Sequence, residues 1–130
     1  MEYLFVITML ITKHFVADFV VQNRWQAMNK GTYGHPGGIV HASIHFIFTV
    51  AVLLAIAIRL NEIPLLFYLA LGESILHYHI DWAKMNLVNK LDVNAYSPSP
   101  GGEIYWIILG FDQLLHYMCY VVITWLLLHP

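Results

Sequence analysis

The sequence predicts an all-α membrane protein in which four transmembrane helices form a compact bundle. Two numbers and one pattern predict this fold: the chain is 59% hydrophobic, only 11% of its residues are charged, and its apolar residues are gathered in long segments. A soluble domain has about 25% charged residues, so these few charges would not cover a water-soluble globule. They suffice for the two ends of a helical bundle whose sides contact the lipid bilayer. The net charge of -2 argues against a nucleic-acid partner.

Four segments reach the length of about 20 mostly apolar residues that a helix needs to cross a bilayer. These spans are expected at Glu2–Gln22, Ile39–Leu60, Ile63–Trp82 and Glu103–Leu128. The chain of 130 residues is expected to form a single domain. Only Asn61 and Glu62 separate the second span from the third, so these two helices are expected to form an antiparallel hairpin. Longer connections, which end in Gly and Pro residues, join the other spans.

The basic residues predict the orientation in the membrane. The two long connections contain Arg24, Lys30, Lys84 and Lys90, whereas the opposite side has only Arg59. Basic residues accumulate in cytoplasmic loops. The long connections are therefore expected in the cytoplasm and both termini outside.

Each predicted span carries ionisable residues, which are costly in hydrocarbon and usually have a function there. Pairs with a spacing of four residues recur in every span, and residues with this spacing lie on one face of a helix. The pairs are His14 and Asp18, His41 and His45, His77 and Asp81, and Asp112 and His116. Gln22 and Glu73 each extend one of these polar stripes by a further turn. Because lipid cannot hydrogen-bond to them, the stripes are expected to face one another.

The stripes also lie at similar depths. A rise of about 1.5 Å per residue from the expected cytoplasmic ends gives ~6–9 Å for Asp18, His45 and His77, and ~12–14 Å for Lys13, His14, Glu73 and Asp112. Imidazoles and carboxylates without thiolates suit zinc, manganese or iron. Ligand pairs one turn apart on several helices also hold the metals of di-iron carboxylate bundles. We therefore expect one or two divalent transition-metal ions.

The eight paired residues are the expected metal ligands or their orienting partners, and Asp18 or Asp112 is the expected general base. A metal with an open coordination position lowers the pKa of bound water to about 7 and so supplies a hydrolytic nucleophile. The residues expected to orient the ligands or to contact a substrate are Lys13, Gln22, Glu73, Lys84 and Gln113. Hydrogen-bonded contact between helices, without metal, is the structural alternative. His35 and His129 lie off the stripes, and His79 is turned away from His77.

Four segments of the sequence, KHFVADFVVQNRWQAMNK, HASIH, HYHIDWAK and FDQLLHY, resemble a family of small bacterial and phage membrane proteins called domain of unknown function 3307. The resemblance covers nearly the whole chain and implies a multi-pass protein of the bacterial inner membrane. It implies no activity. The matching positions are His14, Asp18, Gln22, His41, His45, His77, Asp81, Asp112, Gln113 and His116. A weaker similarity, to membrane-bound metal-dependent hydrolases, rests on HASIHF, which lacks the Arg, Thr and Ser of their His-Arg-x-x-Thr-His-Ser segment.

The leading hypothesis is a metal-dependent hydrolase or transferase that acts on a lipid-linked or amphipathic substrate. A metal or proton transporter or channel is the first alternative, and it would need a polar path to both faces of the membrane. The outer halves of the spans are almost purely apolar, which argues against such a path. The second alternative is a non-enzymatic phage or host interaction protein, for which so many paired histidines would not be needed. A homo-oligomer is compatible with the sequence.

Overall fold

The computed structural model describes residues 2–56 and 63–129 of the chain. In this part, four helical segments are long and apolar enough to cross a membrane, namely Glu2–Val21, Pro36–Ile56, Ile63–Leu91 and Gly101–Leu128. The predicted all-α membrane fold is confirmed. The helices are α1 (Glu2–Phe15), a π-helical continuation of α1 (Val16–Val21), α2 (Arg24–Asn29), α3 (Pro36–Ile56), α4 (Ile63–Leu91) and α5 (Gly101–Leu128).

Neighbouring long helices run antiparallel. As the residue number increases along one helix, the number of the residue that it contacts on the next helix decreases. The start of α1 and the end of α5 therefore lie together at one end of the bundle. The expected hairpin turn at Asn61 and Glu62 lies outside the described residues, as do Arg59 and the end of the predicted second span at Leu60. The contacts that set these directions are His41 with His77 and Thr49 with Glu73 for α3 and α4, and Tyr3 with His129 and His14 with Tyr120 for α1 and α5.

The interior of the bundle has an apolar half and a polar half. Many large apolar side chains on the outer faces of the helices are exposed, whereas the interior buries Lys, His, Asp and Glu side chains. A polar interior and an apolar exterior are consistent with a lipid bilayer around the helices. The apolar half lies at the end that holds the start of α1, and it consists of Val6, Leu10, Leu53, Leu66, Leu69, Tyr120, Ile123 and Leu127.

Helix α4 is longer than the predicted third span. It continues past Trp82 to Leu91, because no Gly or Pro interrupts this stretch that we predicted as a connection. The helix ends where Asp92 adopts a left-handed conformation with a φ of 51°. The backbone N–H of Val93 then donates to the carbonyl of Val88 at 3.2 Å, as in a Schellman motif. Lys84 is therefore a helical residue.

Helix α3 begins at Pro36, before the predicted start at Ile39. Proline suits the first helical position, where its missing N–H has no partner to lose. The ring of His35 accepts a hydrogen bond from the backbone N–H of Gly37 at 3.0 Å. His35 therefore caps this helix, which gives it a local structural role.

The connection between α1 and α3 contains helix α2, which we predicted as loop. A capping box starts this helix: the Asn23 side chain accepts from the Gln26 N–H at 3.0 Å, and the Gln26 side chain accepts from the Asn23 N–H at 2.9 Å. The connection packs closely on α3 at Gly38, where a Cβ would lie 3.2 Å from Tyr78 and 3.6 Å from the Cα of Lys30. This packing holds Lys30 beside the polar half.

Candidate metal centre

All eight residues of the predicted ligand pairs meet in the polar half of the bundle, and we call them the His/Asp cluster. Helices α3, α4 and α5 each contribute one pair, and α1 with its π-helical continuation contributes the fourth. The side chains are buried, and Asp18, the least buried, is 9% exposed. The cluster consists of His14, Asp18, His41, His45, His77, Asp81, Asp112 and His116.

Potential metal-binding atoms of the cluster form three overlapping groups, in each of which all atoms lie within 4.8 Å of one another. His77 and His116 each belong to two groups, so the groups make one continuous site. Such buried groups could hold a metal ion. We name the groups the Asp18 group (Asp18, His41, His45, His77), the His14 group (His14, His77, His116) and the Asp112 group (Asp81, Asp112, His116).

In the Asp18 group, three imidazoles face one carboxylate oxygen. The Oδ1 atom of Asp18 lies 2.9 Å from His45 Nε2, 3.1 Å from His41 Nε2 and 3.8 Å from His77 Nε2. The Nε2 atoms of His41 and His77 are 3.0 Å apart. Zinc–nitrogen bonds of about 2.0–2.1 Å place the ligand atoms of a tetrahedral site ~3.3 Å apart. The separations in this group therefore fit a metal ion.

In the Asp112 group, three buried atoms have no hydrogen-bond partner among the described residues. One is Oδ2 of Asp81, which is ion-paired with Lys30, and the other two are Oδ1 of Asp112 and Nε2 of His116. These last two atoms lie 3.7 Å apart, and Oδ1 of Asp81 lies 4.0 Å from the same His116 nitrogen. Buried polar atoms nearly always have a partner, so these atoms are suited to a bound ion. The group has three protein donors, the number found in catalytic zinc sites, whereas closed structural sites have four.

A buried ion pair supports the cluster from the side of the apolar half. Lys13 Nζ lies 2.9 Å from Glu73 Oε1 and 3.1 Å from His45 Nδ1, and Thr49 donates to Glu73 Oε2 at 3.0 Å. An ammonium group only donates hydrogen bonds. Lys13 therefore makes His45 Nδ1 an acceptor, and the proton on His45 Nε2 is donated to Asp18. In this arrangement His45 orients the Asp18 carboxylate.

Both ring nitrogens of His14 lie close to polar atoms. Its Nδ1 lies 2.8 Å from the hydroxyl of Tyr120, which can itself donate to Glu73 at 3.3 Å. Its Nε2 lies 3.4 Å from Asp18 Oδ2 and 3.2 Å from Gln113 Oε1. A neutral imidazole has only one N–H. If the Tyr120 hydroxyl donates to His14 Nδ1 instead of Glu73, a neutral His14 satisfies its other contacts by donating from Nε2. If Tyr120 donates to Glu73, a bound cation on the cluster side would satisfy Nε2.

The residues predicted to support the ligands have different surroundings. Lys13 and Glu73 contact the cluster as described, and Gln113 donates to Asp112 Oδ2 at 3.1 Å. Gln22 donates to the backbone carbonyl of Asp18 at 3.2 Å. Lys84 lines a groove between α4 and α5, on the outside of the bundle.

Three further residues that sequence reasoning missed contact the cluster or its supports. Tyr120 and Thr49 follow His116 and His45 by four residues, so the spacing rule that identified Glu73 would also have identified them. Lys30 lies 2.8 Å from Asp81 Oδ2, and no local pattern predicts this contact.

The histidines predicted to lie off the stripes do not belong to the cluster. His79 is exposed on α4, where its ring contacts the hydroxyl of Tyr33 at 3.2 Å. His129 is exposed and lies 3.2 Å from the hydroxyl of Tyr3, at the opposite end of the bundle.

Comparison with known proteins identifies one family. The family model described as "Protein of unknown function (DUF3307)" matches residues 6–129, a range that contains the whole His/Asp cluster. No curated protein and no solved structure matches the chain. The resemblance noted in the sequence is thus confirmed, and the weaker similarity to metal-dependent hydrolases stays a prediction.

Proposed function

Since the chain belongs to the DUF3307 family, whose description assigns no activity, we propose a function from the geometry of the His/Asp cluster. The protein is a membrane metalloenzyme, a hydrolase or transferase that acts on a lipid-linked or amphipathic substrate. Its metal centre lies within the membrane, near the face that the basic residues predict to be cytoplasmic.

The observation that carries this proposal is the Asp112 group. Asp112 Oδ1 and His116 Nε2 are buried without a partner in the described part of the chain, and Asp81 supplies a third donor. Three donors leave a coordination position open for water or substrate. In the Asp18 group, His45 Nε2 carries the proton that it donates to Asp18, so Asp18, His41 and His77 are the three donors for a second position. The donor types favour zinc, manganese or iron, with one or two ions per chain.

The residues around this centre have different proposed roles. When bound, such a metal polarises a carbonyl or phosphoryl oxygen and makes water nucleophilic near neutral pH. Asp112 lines the outer groove, so it is the ligand of this group that a substrate in the groove can reach. Gln113 holds the other oxygen of Asp112 in place. Asp18 is engaged by His41 and by His45, which orients its carboxylate, so its role is that of a ligand and not of the general base.

The apolar half of the bundle supports an enzyme over a transporter. Val6, Leu10, Leu53 and Leu66 are buried there beside Tyr120. An ion passing from the cluster to that end would have to cross this packed apolar core, at a high desolvation cost. A site reached from one side suits an enzyme better than a channel.

Metal analysis followed by an activity screen tests the proposal. Protein purified without chelator and supplied with zinc or manganese should contain about one or two ions per chain. The loaded protein is then incubated in vesicles with ester-linked and phosphate-linked lipids, and products are measured by mass spectrometry. We expect metal-dependent turnover that a chelator abolishes. Absence of metal would refute the metalloenzyme, and metal without any turnover would leave a structural site.

A further inference from the structure

A groove along the outside of the bundle connects the His/Asp cluster with the lipid-facing surface. It runs between α4 and α5 in two parts, with volumes of about 540 Å³ and about 500 Å³. Each volume is within the range of small-molecule sites. Leu76, Ile80 and Leu115 line both parts, so the two parts are continuous. The wall is almost wholly apolar.

Two charged residues stand out in the lining of the first part of the groove. One is Asp112, the only member of the His/Asp cluster that lines it. The other is Lys84, which follows Leu76 and Ile80 at four-residue intervals and so shares their face of α4. Lys84 makes no ion pair within the described ranges 2–56 and 63–129. An apolar groove thus has a cation at one end and a cluster carboxylate in its wall.

We infer that this groove binds the acyl chain of a phosphate-bearing lipid and places the phosphate between Lys84 and the Asp112 group. The inference rests on the proposed function, because the Asp112 carboxylate would repel a phosphate unless a metal ion balanced its charge. The groove lies on the lipid-facing side of the bundle, so a lipid can enter it sideways without crossing water. The apolar wall matches an acyl chain, and Lys84 matches an anionic headgroup.

Photo-crosslinking in vesicles tests this inference. The metal-loaded protein is reconstituted in phosphatidylcholine vesicles that contain a trace of a lipid probe with a diazirine in its acyl chain. The probe is either phosphatidic acid or phosphatidylcholine with the same chain. We expect peptides from α4 and α5 that line the groove to be labelled above the other lipid-facing peptides. Phosphatidic acid should label them several-fold more than phosphatidylcholine.

Two pairs of variants locate the binding site. Leu115→Trp fills the groove and should lower labelling several-fold, whereas Leu114→Trp adds the same ring on the exposed face of α5 and should not. Lys84→Gln should remove the preference for phosphatidic acid without removing labelling by phosphatidylcholine. Lys90→Gln, an exposed lysine on the same helix that does not line the groove, is its control. Millimolar inorganic phosphate should not compete, since it lacks the chain.

Metal content measured in the same samples separates this inference from the proposed function. Even labelling of all lipid-facing helices, or labelling that Leu115→Trp leaves unchanged, would overturn the groove while bound metal still supported the enzyme. Labelling confined to the groove in a protein that binds no metal would overturn the enzyme and leave a lipid-binding protein. If free phosphate lowered the labelling by phosphatidic acid, the site would bind phosphate itself, and the inference that it binds a lipid would be overturned.

Discussion

The ammonium group of Lys30 lies 2.8 Å from the carboxylate oxygen Oδ2 of Asp81, and the two side chains are only 8% and 5% exposed. Lys30 follows helix α2, whereas Asp81 belongs to α4. A cation from the connection thus balances part of the negative charge of the His/Asp cluster. A metal ion in the Asp112 group would act on the same carboxylate, so the lysine and the metal share one charge-balancing role.

Replacing this lysine should destabilise the metal-free protein more than the loaded protein. In Lys30→Gln, Asp81 becomes a buried carboxylate without its cation, and breaking a buried ion pair costs about 3–5 kcal/mol. Bound metal would offset part of this loss, so the gain in thermal stability on adding zinc should exceed that of the wild type. Thermal unfolding in detergent, with zinc or with chelator, measures both values.

The control for this experiment is Lys90→Gln, which removes an exposed lysine of α4. This variant should unfold at the same temperatures as the wild type, with zinc and with chelator, within the experimental error. An equal loss of stability in loaded and chelated Lys30→Gln protein would show that the metal and the lysine do not share Asp81.

The unpartnered atoms of the Asp112 group should be metal ligands. His116→Ala removes one donor and Asp112→Asn replaces a carboxylate donor by a neutral amide, so we expect each variant to bind at least one ion fewer or to bind it far more weakly. His79→Ala, an exposed histidine of α4, is the matched control and should keep the wild-type metal content. Elemental analysis of the three purified variants gives the result. Normal metal content with lower thermal stability in the two ligand variants would instead favour a purely structural cluster.

Local spacing predicted all eight residues of the His/Asp cluster, because residues four apart on a helix share a face whatever the helix packs against. His77 and Asp81, for example, lie together simply because α4 is a regular α-helix at this point. Gln22 shows where this rule fails. The π-helical continuation of α1 has i→i+5 hydrogen bonds, such as Gln22 N–H to Ala17 at 3.1 Å. The wider turn alters the spacing rule after Asp18, and Gln22 contacts the Asp18 backbone carbonyl.

Contacts between distant parts of the chain could not be predicted in this way. In the sequence, Lys30 is only one of the basic residues of a connection that predict the orientation in the membrane. Its contact with Asp81 depends on how this connection packs against α3 at Gly38. The sequence predicts Lys84 in a connection, but the extension of α4 places it on the same helical face as Ile80. Both outcomes depend on tertiary packing and helix length, which periodicity alone does not determine.

Tyr120 should act as a positioning residue for the metal centre. Its hydroxyl lies between His14 Nδ1 and Glu73 Oε1, at 2.8 Å and 3.3 Å. Tyr120→Phe leaves His14 Nδ1 without a partner in the interior, whereas Glu73 keeps Lys13 and Thr49, so stability should fall by about 1–3 kcal/mol. Loss of the partner that orients a ligand histidine should also weaken metal binding roughly 10–100-fold. Titration against a chromophoric chelator measures the affinity.

The matched control for this variant is Tyr117→Phe. Tyr117 lies on the same helix, is 36% exposed, and its hydroxyl makes no hydrogen bond to any residue that the structure describes. This change should alter neither the stability nor the metal affinity. If Tyr120→Phe lowers stability but leaves the affinity unchanged, Tyr120 supports the fold and not the ligand.

The orientation in the membrane should place the cluster near the cytoplasmic side. In a background with Cys119→Ala, which removes the native thiol, single cysteines are introduced at Thr32, Tyr96 and Glu2, all of which are exposed. The first two lie at the end of the bundle that holds Arg24, Lys30, Lys84 and Lys90, so an impermeant maleimide should reach them only from the cytoplasmic side of inverted vesicles. The cysteine at Glu2, at the other end of α1, should react only in intact cells or spheroplasts. The reverse pattern would place the cluster near the outer face, where a metal ion and a substrate headgroup would have to arrive from outside the cell.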